Sequence, residues 1–450
     1  MPSARLMFLC VTCGLLLWMV VPWSGRLSNL SQLREMNWVK AEFQEHLDDI
    51  VRLYNLSLKS FASHELPPAD DPSSWKTILF WHTWFGFNWS HRFGPTTPEG
   101  LREVGCPSWR CRFTLDHKKV SEADAVIFEA GRFSGRPKGM TRPLNRAVWV
   151  SAESPISASG LYQLTVISAY NRSRAINWTM TYHSESDIGG YFGHFRSLGV
   201  SAMPMRPNLM AEHREALKRH RAALAQNKTL QDVMGGGWST FVQRPRVVAF
   251  MTSHCVTLSR REEYVVELQK YMEVDRYGGC VKRRCGERHN ADSCWKSVLG
   301  GNYSFYMAMA NSFCRDYATE KLYLALVYNM VPVVWGGSDY DKLLPPHSYI
   351  NARHYHPKNL ARLLTRLHKD PVAYGRYHLW RGYLKPVLGG SFCELCHRLH
   401  TDKTVGHHKD VSEWAKRTGM CVNVPQNLFS DNKWRKFIND TEVTPGGSGK

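Results

Sequence analysis

The sequence is short of acidic residues and of long apolar runs. It carries 39 Asp and Glu residues against 58 Lys and Arg residues, which gives a net charge of +19. This imbalance favours an acidic partner, and nucleic acid, an anionic membrane surface or a phosphorylated small molecule would each suit it. One uncharged apolar run, at residues 6–23, is long enough to cross a bilayer, and no second one follows. A protein with several membrane spans is therefore excluded.

Internal repeats are absent, and the one low-complexity tract is a Gly-Ser tail at residues 446–450. A repeat array is therefore not expected. The chain has 450 residues, of which 43% are hydrophobic, enough to bury one large or two medium cores. The sequence thus predicts a globular protein with many elements and excludes disorder throughout.

The apolar run at 6–23 follows Arg5 and precedes Arg26. A cleaved signal peptide is the alternative, but the run exceeds the usual h-region and no A-x-A cleavage site follows it. We expect an uncleaved signal anchor. Residues 1–5 then form a cytoplasmic tail, 6–23 a transmembrane helix and 24–74 a polar stem that passes through the proline-rich stretch at 67–72.

Sequons and cysteines beyond the anchor point to an oxidising lumen. N-x-S/T sequons, which are candidate glycosylation sites, occur at Asn29, Asn55, Asn88, Asn171, Asn177, Asn227, Asn302 and Asn439. The candidate disulfide cysteines are Cys106, Cys111, Cys255, Cys280, Cys285, Cys294, Cys314, Cys393, Cys396 and Cys421. Their pairing cannot be deduced from spacing. In this compartment nucleic acid is not a partner, and the basic charge suits nucleotide phosphates or acidic glycans.

Apolar patterns divide the rest of the chain into two α/β regions. Strands are predicted at 75–84, 120–128 and 147–150 in a first domain, residues 75–237, which ends at three consecutive glycines. A second domain, residues 238–400, repeats strand and helix in alternation, and residues 401–450 form a C-terminal extension. In this second domain the predicted strands are 246–251, 305–309 and 331–335, and the predicted helices are 260–272 and 319–330.

Successive βαβ units predict a parallel sheet whose ligand lies beyond the carboxyl ends of the strands. Arg260 and Lys321 both fall in the first turn of a predicted helix, where free N–H groups and partial positive charge favour phosphate. Two such cations would stabilise a departing nucleoside diphosphate. The alternative is that Thr319, Glu320 and Lys321 form an ordinary capped helix start.

Residues 305–337 carry the most specific motif and read FYMAMANSFCRDYATEKLYLALVYNMVPVVWGG. This stretch closely resembles the signature of the α1,3/4-fucosyltransferase family, with its F-Y-x-x-x-x-N-S, Y-x-T-E-K and P-x-x-x-G elements in order. Similar segments lie at 149–155, 177–188 and 260–279, so the resemblance covers most of residues 75–400. The CPSWRC and FCELCH segments look most like those of invertebrate members.

The resemblance implies an α/β fold with two Rossmann-like domains facing a cleft, the GT-B type. It implies an inverting transfer of L-fucose from GDP-fucose to a GlcNAc hydroxyl of a glycoprotein glycan, most often in α1,3 linkage, with no metal or other cofactor. It also implies a single-pass type II protein of the Golgi membrane with a lumenal catalytic region. Other linkages, a protein acceptor, and a non-catalytic lumenal glycan-binding homologue remain open, as does the choice between N-glycan core and antenna.

Glu153 matches the family's base for the acceptor hydroxyl, and it follows the predicted strand at 147–150. Glu129, Glu185 and Asp187 are the other first-domain candidates. The family's donor-binding residues match Arg260, Asn311, Tyr317, Glu320 and Lys321. His254 departs from the family, which commonly has Asn there.

Two further motifs match known cofactor, metal or redox sites, and we reject these interpretations. Cys393-Glu-Leu-Cys396-His397 matches haem attachment, adds His400 as a possible zinc ligand, and as C-x-x-C suggests redox activity. Disulfides fit better, because haem attachment needs another compartment, the two histidines follow too closely for zinc, and no thioredoxin-like unit surrounds the motif. Asp339-Tyr-Asp341 resembles a D-x-D metal motif, but the resemblance implies a loop at this position, so no metal is assigned to it.

Overall fold

The structure is a computed structural model that describes residues 74–441, with gaps at 85, 87, 172–174, 190–191, 282, 284, 286–290, 346, 383 and 430–432, and at 198–242 apart from 218, 222 and 226. The predicted cytoplasmic tail, transmembrane helix and stem up to residue 73 lie outside the described residues. Within the described ranges, no helix is both long and apolar enough to cross a bilayer.

The first half of the described chain forms a six-stranded sheet in the order β2-β1-β3-β4-β5-β6. Every neighbouring pair in it is parallel. Its strands are β1 Lys76–Phe80, β2 Cys111–Thr114, β3 Ala125–Glu129, β4 Arg146–Ser151, β5 Trp178–Thr181 and β6 Ile188–Gly189. The central strands β3 and β4 are buried along their whole length, as strands covered on both faces must be.

The second half forms a five-stranded sheet in the order β12-β11-β10-β8-β9, again parallel throughout. Its strands are β8 Arg246–Met251, β9 Asp275–Tyr277, β10 Tyr303–Met309, β11 Val331–Trp335 and β12 Ile350–Asn351. Two remaining strands, β7 Gly193–Ser197 and β13 Leu384–Leu388, pair antiparallel. The predicted parallel α/β architecture is therefore confirmed in both halves.

Helices connect the strands. The α-helices are α1 Ser90–Phe93, α2 Pro98–Glu103, α3 Ala158–Asn171, α4 Arg261–Leu268, α5 Ala291–Cys294, α6 Gly300–Asn302, α7 Glu320–Val327, α8 Tyr340–Leu343, α9 Pro357–Lys369, α10 Pro371–Gly375, α11 Ser391–Thr401, α12 Val411–Gly419 and α13 Lys433–Thr441. Short 3-10 segments lie at His117–Lys119, Ala130–Arg132, Gly279–Val281, Ala352–His354 and Arg376–Gly382, and a π-helical turn at Trp295–Leu299.

Most predicted elements are confirmed, with shifts that local chemistry explains. The predicted strand at 120–128 begins only at Ala125, because Asp116 caps a 3-10 turn at His117–Lys119 and the chain turns again before the strand. The predicted helix at 319–330 ends at Val327, where Asn329 takes a left-handed conformation with φ of 59°. Strand β2 was not predicted, because its four residues are too short for a clear pattern.

The C-terminal segment crosses from one half to the other and back. Helix α11 packs against β1 and β6 of the first sheet, and α12 packs against α3. Beyond them, Trp434 of α13 stacks on Trp335 of β11 with ring centroids 5.8 Å apart. The sequence-based boundaries at 237 and 400 stay predictions. What the structure adds is that residues 391–419 contact the first half and α13 contacts the second.

All ten candidate cysteines form disulfides, which confirms their predicted role and supplies the pairing. The pairs are Cys106–Cys393, Cys111–Cys396, Cys255–Cys280, Cys285–Cys294 and Cys314–Cys421. The two cysteines of the C-x-x-C motif in α11 thus do not bond to each other. They bond to Cys106, which precedes β2, and to Cys111, the first residue of β2. Within the described chain, the one cluster with metal-ligand atoms near each other contains Cys111, Cys396 and His400, and its two sulfurs are already bonded.

The described sequons differ in exposure. Asn88 and Asn439 are exposed, and Asn302 is partly buried and donates to the Val298 carbonyl at 2.7 Å. Asn177 is only 8% exposed; its amide accepts from the Ala147 N–H and donates to the Gly406 carbonyl. Asn177 is thus buried, unlike Asn88 and Asn439, and its glycosylation stays a prediction. Asn29, Asn55 and Asn227 lie outside the described residues, as does the side chain of Asn171.

The two disulfides of α11 close loops of 287 and 285 residues. When either disulfide is intact, the same two segments of the chain are already joined, so the second disulfide closes almost no additional loop. Replacing Cys106 and Cys393 by Ala should therefore cost little beyond local packing, whereas replacing all four cysteines should lower the free energy of unfolding by about 3–5 kcal/mol more. Urea denaturation followed by circular dichroism measures both. Equal, additive losses from the two pairs would contradict the loop-closure explanation.

Candidate active site

The order of the second sheet places a crevice at a defined position. Strand β8, the first of this sheet in the chain, lies between β9 and β10, so the connections run in opposite directions on its two sides. In parallel α/β sheets, ligands bind beyond the carboxyl ends of the strands at this switch point. The five predicted donor-binding residues lie in the loops after β8 and β10 and in the first turn of α7, which follows the second loop. They are Arg260, Asn311, Tyr317, Glu320 and Lys321.

Arg260 precedes α4 with a left-handed backbone, φ 49° and ψ 32°. This conformation costs a non-glycine residue roughly 1–3 kcal/mol, and such residues cluster at functional sites. The guanidinium donates from Nε to the Val424 carbonyl at 3.0 Å and pairs through Nη1 with Glu263 at 2.5 Å. Arg260 is thus held in place but remains partly exposed. His254 lies exposed in the same loop, which the Cys255–Cys280 disulfide constrains.

Arg261, the next residue, was not predicted as a site residue, and its role is structural. Its buried guanidinium donates to the Met309 carbonyl at 2.7 Å and to the Thr252 hydroxyl at 2.9 Å. Because Thr252 and Met309 stand at the ends of β8 and β10, Arg261 ties the two site loops together. An Arg-Arg dipeptide gives no indication in sequence of which residue faces the ligand.

Asn311 and Tyr317 line the loop after β10. Asn311 accepts from the Ser312 hydroxyl at 3.0 Å, and its carbonyl accepts from the Ser259 N–H at 3.1 Å, so it also joins the two loops. Tyr317 is 2% exposed, and burial, reinforced by the nearby carboxylates Glu153 and Glu320, raises its pKa well above the usual value. Its phenol therefore stays protonated and can donate a hydrogen bond.

Glu320 begins α7 and is paired on both sides. Its Oε1 lies 2.6 Å from Lys321 Nζ, and its Oε2 lies 3.1 Å from Arg92 Nη1. Burial disfavours the ionised carboxylate, but Lys321 and Arg92 outweigh it and lower the pKa of Glu320 to about 2. The carboxylate is therefore ionised at neutral pH and ready to accept hydrogen bonds from hydroxyl groups.

Arg92 is a residue of this site that sequence analysis missed. It lies in α1, which follows β1, at the switch point of the first sheet between β1 and β3. Its guanidinium also stands over the Phe192 ring, 4.9 Å from the centroid. Because 228 residues separate Arg92 from Glu320, no local pattern could have linked them.

The candidate base Glu153 comes from the first sheet, two residues after β4. Tyr317 Oη and Ser157 Oγ both lie near its Oε2, at 3.5 and 3.4 Å. Next to it, the Ser154 hydroxyl donates to the Ser312 hydroxyl at 2.6 Å within the buried contact between the halves. The structure thus brings the predicted base together with the predicted donor-site loop. Both of its contacts are long, which leaves the carboxylate available to another partner.

The other three first-half carboxylates are committed elsewhere. Glu129 is buried, which raises its pKa, and it caps the turn at the Gly131 N–H, 3.0 Å away. Asp187 accepts from the Thr179 N–H at 2.8 Å and from His408 at 2.6 Å. Glu185 is exposed and pairs with Arg315 at 3.0 Å. Of the four carboxylates considered, Glu153 alone is neither ion-paired nor bound by a cap.

A small cavity of about 20 Å³ adjoins Glu153, enough for about one water molecule. Its walls include Trp149, Gln163, His183 and Trp414. His183 is buried, and burial lowers its pKa although Asp316 stands 3.6 Å away. The side of the site next to Glu153 is thus lined by aromatic rings and a neutral imidazole.

The D-x-D sequence at 339–341 is occupied by protein contacts. Asp339 pairs with Lys342 at 2.7 Å, and Asp341 accepts from the Tyr349 hydroxyl at 2.6 Å. Both carboxylates therefore contribute to the local fold around α8.

Comparison with known proteins assigns the family. The model described as "Glycosyltransferase family 10 (fucosyltransferase) C-term" matches residues 241–414, and the model described as "Fucosyltransferase, N-terminal" matches residues 73–193. Alpha-(1,3)-fucosyltransferase C of Drosophila melanogaster is 32% identical over 355 residues, which cover 76% of this chain and 78% of that protein. The chain belongs to glycosyltransferase family 10, the fucosyltransferases.

Two further proteins are similar to this chain. Alpha-(1,3)-fucosyltransferase fut-1 of Caenorhabditis elegans is 30% identical over 66% of this chain and 62% of its own length. A crystal structure of an alpha1,3-fucosyltransferase with GDP-fucose aligns over 78% of this chain and 95% of that one, at 15% identity and a TM-score of 0.41. That score is too low for the alignment to support any residue assignment, so the site rests on the contacts above.

The ion pair between Arg92 and Glu320 should be measurable as a coupling. The lowered pKa of Glu320 stabilises the fold above its usual value of 4.5, and this contribution is lost as pH falls from 4.5 to about 2. In a double-mutant cycle, Arg92→Met and Glu320→Gln should show a coupling of about 0.5–1 kcal/mol at pH 7 that shrinks below pH 4.5. Urea denaturation at each pH measures it.

The matched control for this cycle is Arg102→Met. Arg102 lies in the neighbouring α2, stands over the Trp109 ring at 5.3 Å, and is exposed like many surface arginines. It should show no coupling to Glu320. A pH-independent coupling, or an equal one for Arg102, would contradict the assignment of Arg92 to the donor site.

Proposed function

We propose that this fucosyltransferase moves L-fucose from GDP-fucose to a GlcNAc hydroxyl of a glycoprotein glycan, in α1,3 linkage. The observation that carries this proposal is the approach of Glu153 and Tyr317, at 3.5 Å, across the contact between the two sheets. We infer from this approach that a base from the first sheet and cations from the second flank one space. The named activities of the Drosophila and nematode relatives support the linkage.

The chemistry follows from the charges. Glu153 accepts the proton of the acceptor hydroxyl. The oxygen of that hydroxyl attacks the anomeric carbon of fucose from the face opposite the diphosphate. The bond from that carbon to the diphosphate oxygen breaks, and the electron pair leaves with GDP. Arg260 and Lys321 stabilise the negative charge that grows on GDP. One displacement inverts the anomeric centre.

Donor binding requires an exchange of partners at both cations. Arg260 pairs with Glu263, and Lys321 with Glu320, before the donor arrives. A diphosphate carries more charge than either carboxylate and would compete for both cations. Glu320, still held by Arg92, is then positioned to accept hydrogen bonds from ribose or fucose hydroxyls.

We also infer that the two sheets belong to two Rossmann-like domains of the GT-B type, and that the enzyme is a single-pass type II protein of the Golgi membrane. Five disulfides in the described residues and the sequons at Asn88 and Asn439 support a lumenal location. The membrane anchor rests on the sequence at residues 6–23.

Glu153→Gln tests the assignment of the base. The substitution keeps the size of the side chain but removes its ability to take a proton, so kcat should fall roughly 10²-fold or more while GDP-fucose affinity stays nearly unchanged. Steady-state kinetics and calorimetry with the donor measure these two quantities. Glu185→Gln is the matched control and should keep normal kcat, because its carboxylate is exposed and paired with Arg315.

Lys321→Ala gives the contrasting result. The cation meets the diphosphate in the ground state and meets more charge as the bond breaks, so both donor affinity and kcat should fall. For the Glu153→Gln variant, a near-normal kcat with both substrates saturating would show that the base lies elsewhere.

We expect no metal requirement, because side-chain cations supply the positive charge at the diphosphate. The fragment from residue 75, without the predicted anchor and stem, should keep its activity in EDTA. The measurement is GDP release in chelator, compared with the same enzyme after Mn²⁺ addition. Activity abolished by EDTA and restored by Mn²⁺ would refute the metal-free mechanism.

A further inference from the structure

A basic groove lies on the surface of the second half, along α9. Its volume is about 570 Å³, and no carboxylate lines it. The lining residues are Tyr271, Lys358, Ala361, Arg362, Thr365, Arg366 and Lys369. Four of these seven side chains are cations, and all four cations are exposed. We call this surface the α9 groove.

The four cations form one stripe because of their spacing. Residues 358, 362, 366 and 369 are three or four positions apart, so a helix places them on one face. The opposite face buries Leu360, Leu364 and Leu367 in the core. From Lys358 to Lys369 the stripe extends roughly 16 Å along the helix axis.

The stripe is not neutralised by the described part of the chain, where none of the four cations forms an ion pair. Two acidic residues close in sequence to residues that line the groove have other partners. Glu267 of α4 pairs with Lys270 at 2.7 Å, and Asp370 accepts from the Ala373 N–H at 3.0 Å. Four like charges within three helical turns repel one another, so the fold bears an electrostatic cost that an anionic partner would relieve.

The α9 groove is separate from the donor site. Arg260 stands at the amino end of α4, whereas Tyr271 follows the carboxyl end of this helix, which is roughly 12 Å long. A ligand in the groove therefore does not occupy the space between Arg260 and Lys321. Charge removed from the groove should leave transfer to a small acceptor unchanged.

The shape of the groove selects among anionic partners. The four cations follow one line of roughly 16 Å, so a single linear polyanion can contact all of them. The Tyr271 ring and the Thr365 hydroxyl add an apolar face and a hydrogen-bonding group, both suited to sugar rings. We propose that the α9 groove binds a linear sulfated or carboxylated carbohydrate chain, at a site distinct from the one where fucose is transferred.

The test uses the folded enzyme and a size-defined heparin fragment as the sulfated probe. One variant replaces Lys358, Arg362, Arg366 and Lys369 by Gln. The matched control replaces Lys118, Lys119, Lys138 and Lys385 by Gln, which removes the same charge from exposed positions elsewhere. Calorimetry at two NaCl concentrations measures affinity, and fucosyl transfer to a small glycan confirms that each variant is folded.

The groove variant should bind heparin at least tenfold more weakly than the wild type, with a shallower dependence on NaCl. The control should change less than twofold, and both variants should keep normal transfer rates. The inference is overturned if the two variants weaken binding equally. It is also overturned if phosphatidylserine vesicles or single-stranded DNA bind the groove and heparin and hyaluronan do not.

Discussion

The site depends on one constraint, which is that the carboxyl edges of two parallel sheets meet. Parallel strands deliver all their outgoing loops to one edge, so each sheet presents its polar loop residues on a single side. Contact of these edges places Ser154 against Ser312 and Arg92 against Glu320. Neither sheet alone holds both a free carboxylate and the cations. The proposed reaction therefore takes place where the two halves meet.

The C-terminal segment stabilises this contact. Helix α11 is disulfide-bonded to the first half, and β13, just before it, pairs with β7. Further along, Cys421 bonds to Cys314, next to the donor-site loop, and Val424 accepts from Arg260. A chain that crosses twice limits how far the halves can separate.

Sequence reasoning succeeded where the information is local. The segment 305–337 contains strand, site loop and helix start together, and its elements appear as β10, β11 and α7. It failed where partners are distant: Arg92 and Glu320 are far apart in the chain, and the cysteine pairs are set by packing and not by spacing. Asn177 shows the same limit, because a sequon does not reveal that its amide is buried in hydrogen bonds.

The proposed mechanism requires one space to receive the base and the cations together. A crystal structure of the enzyme with GDP and a GlcNAc-terminated acceptor tests it directly. We expect the diphosphate within hydrogen-bond distance of Lys321 and Arg260, and an acceptor hydroxyl about 3 Å from a Glu153 carboxylate oxygen. GDP bound away from the ends of β8 and β10, or an acceptor hydroxyl out of reach of Glu153, would contradict it.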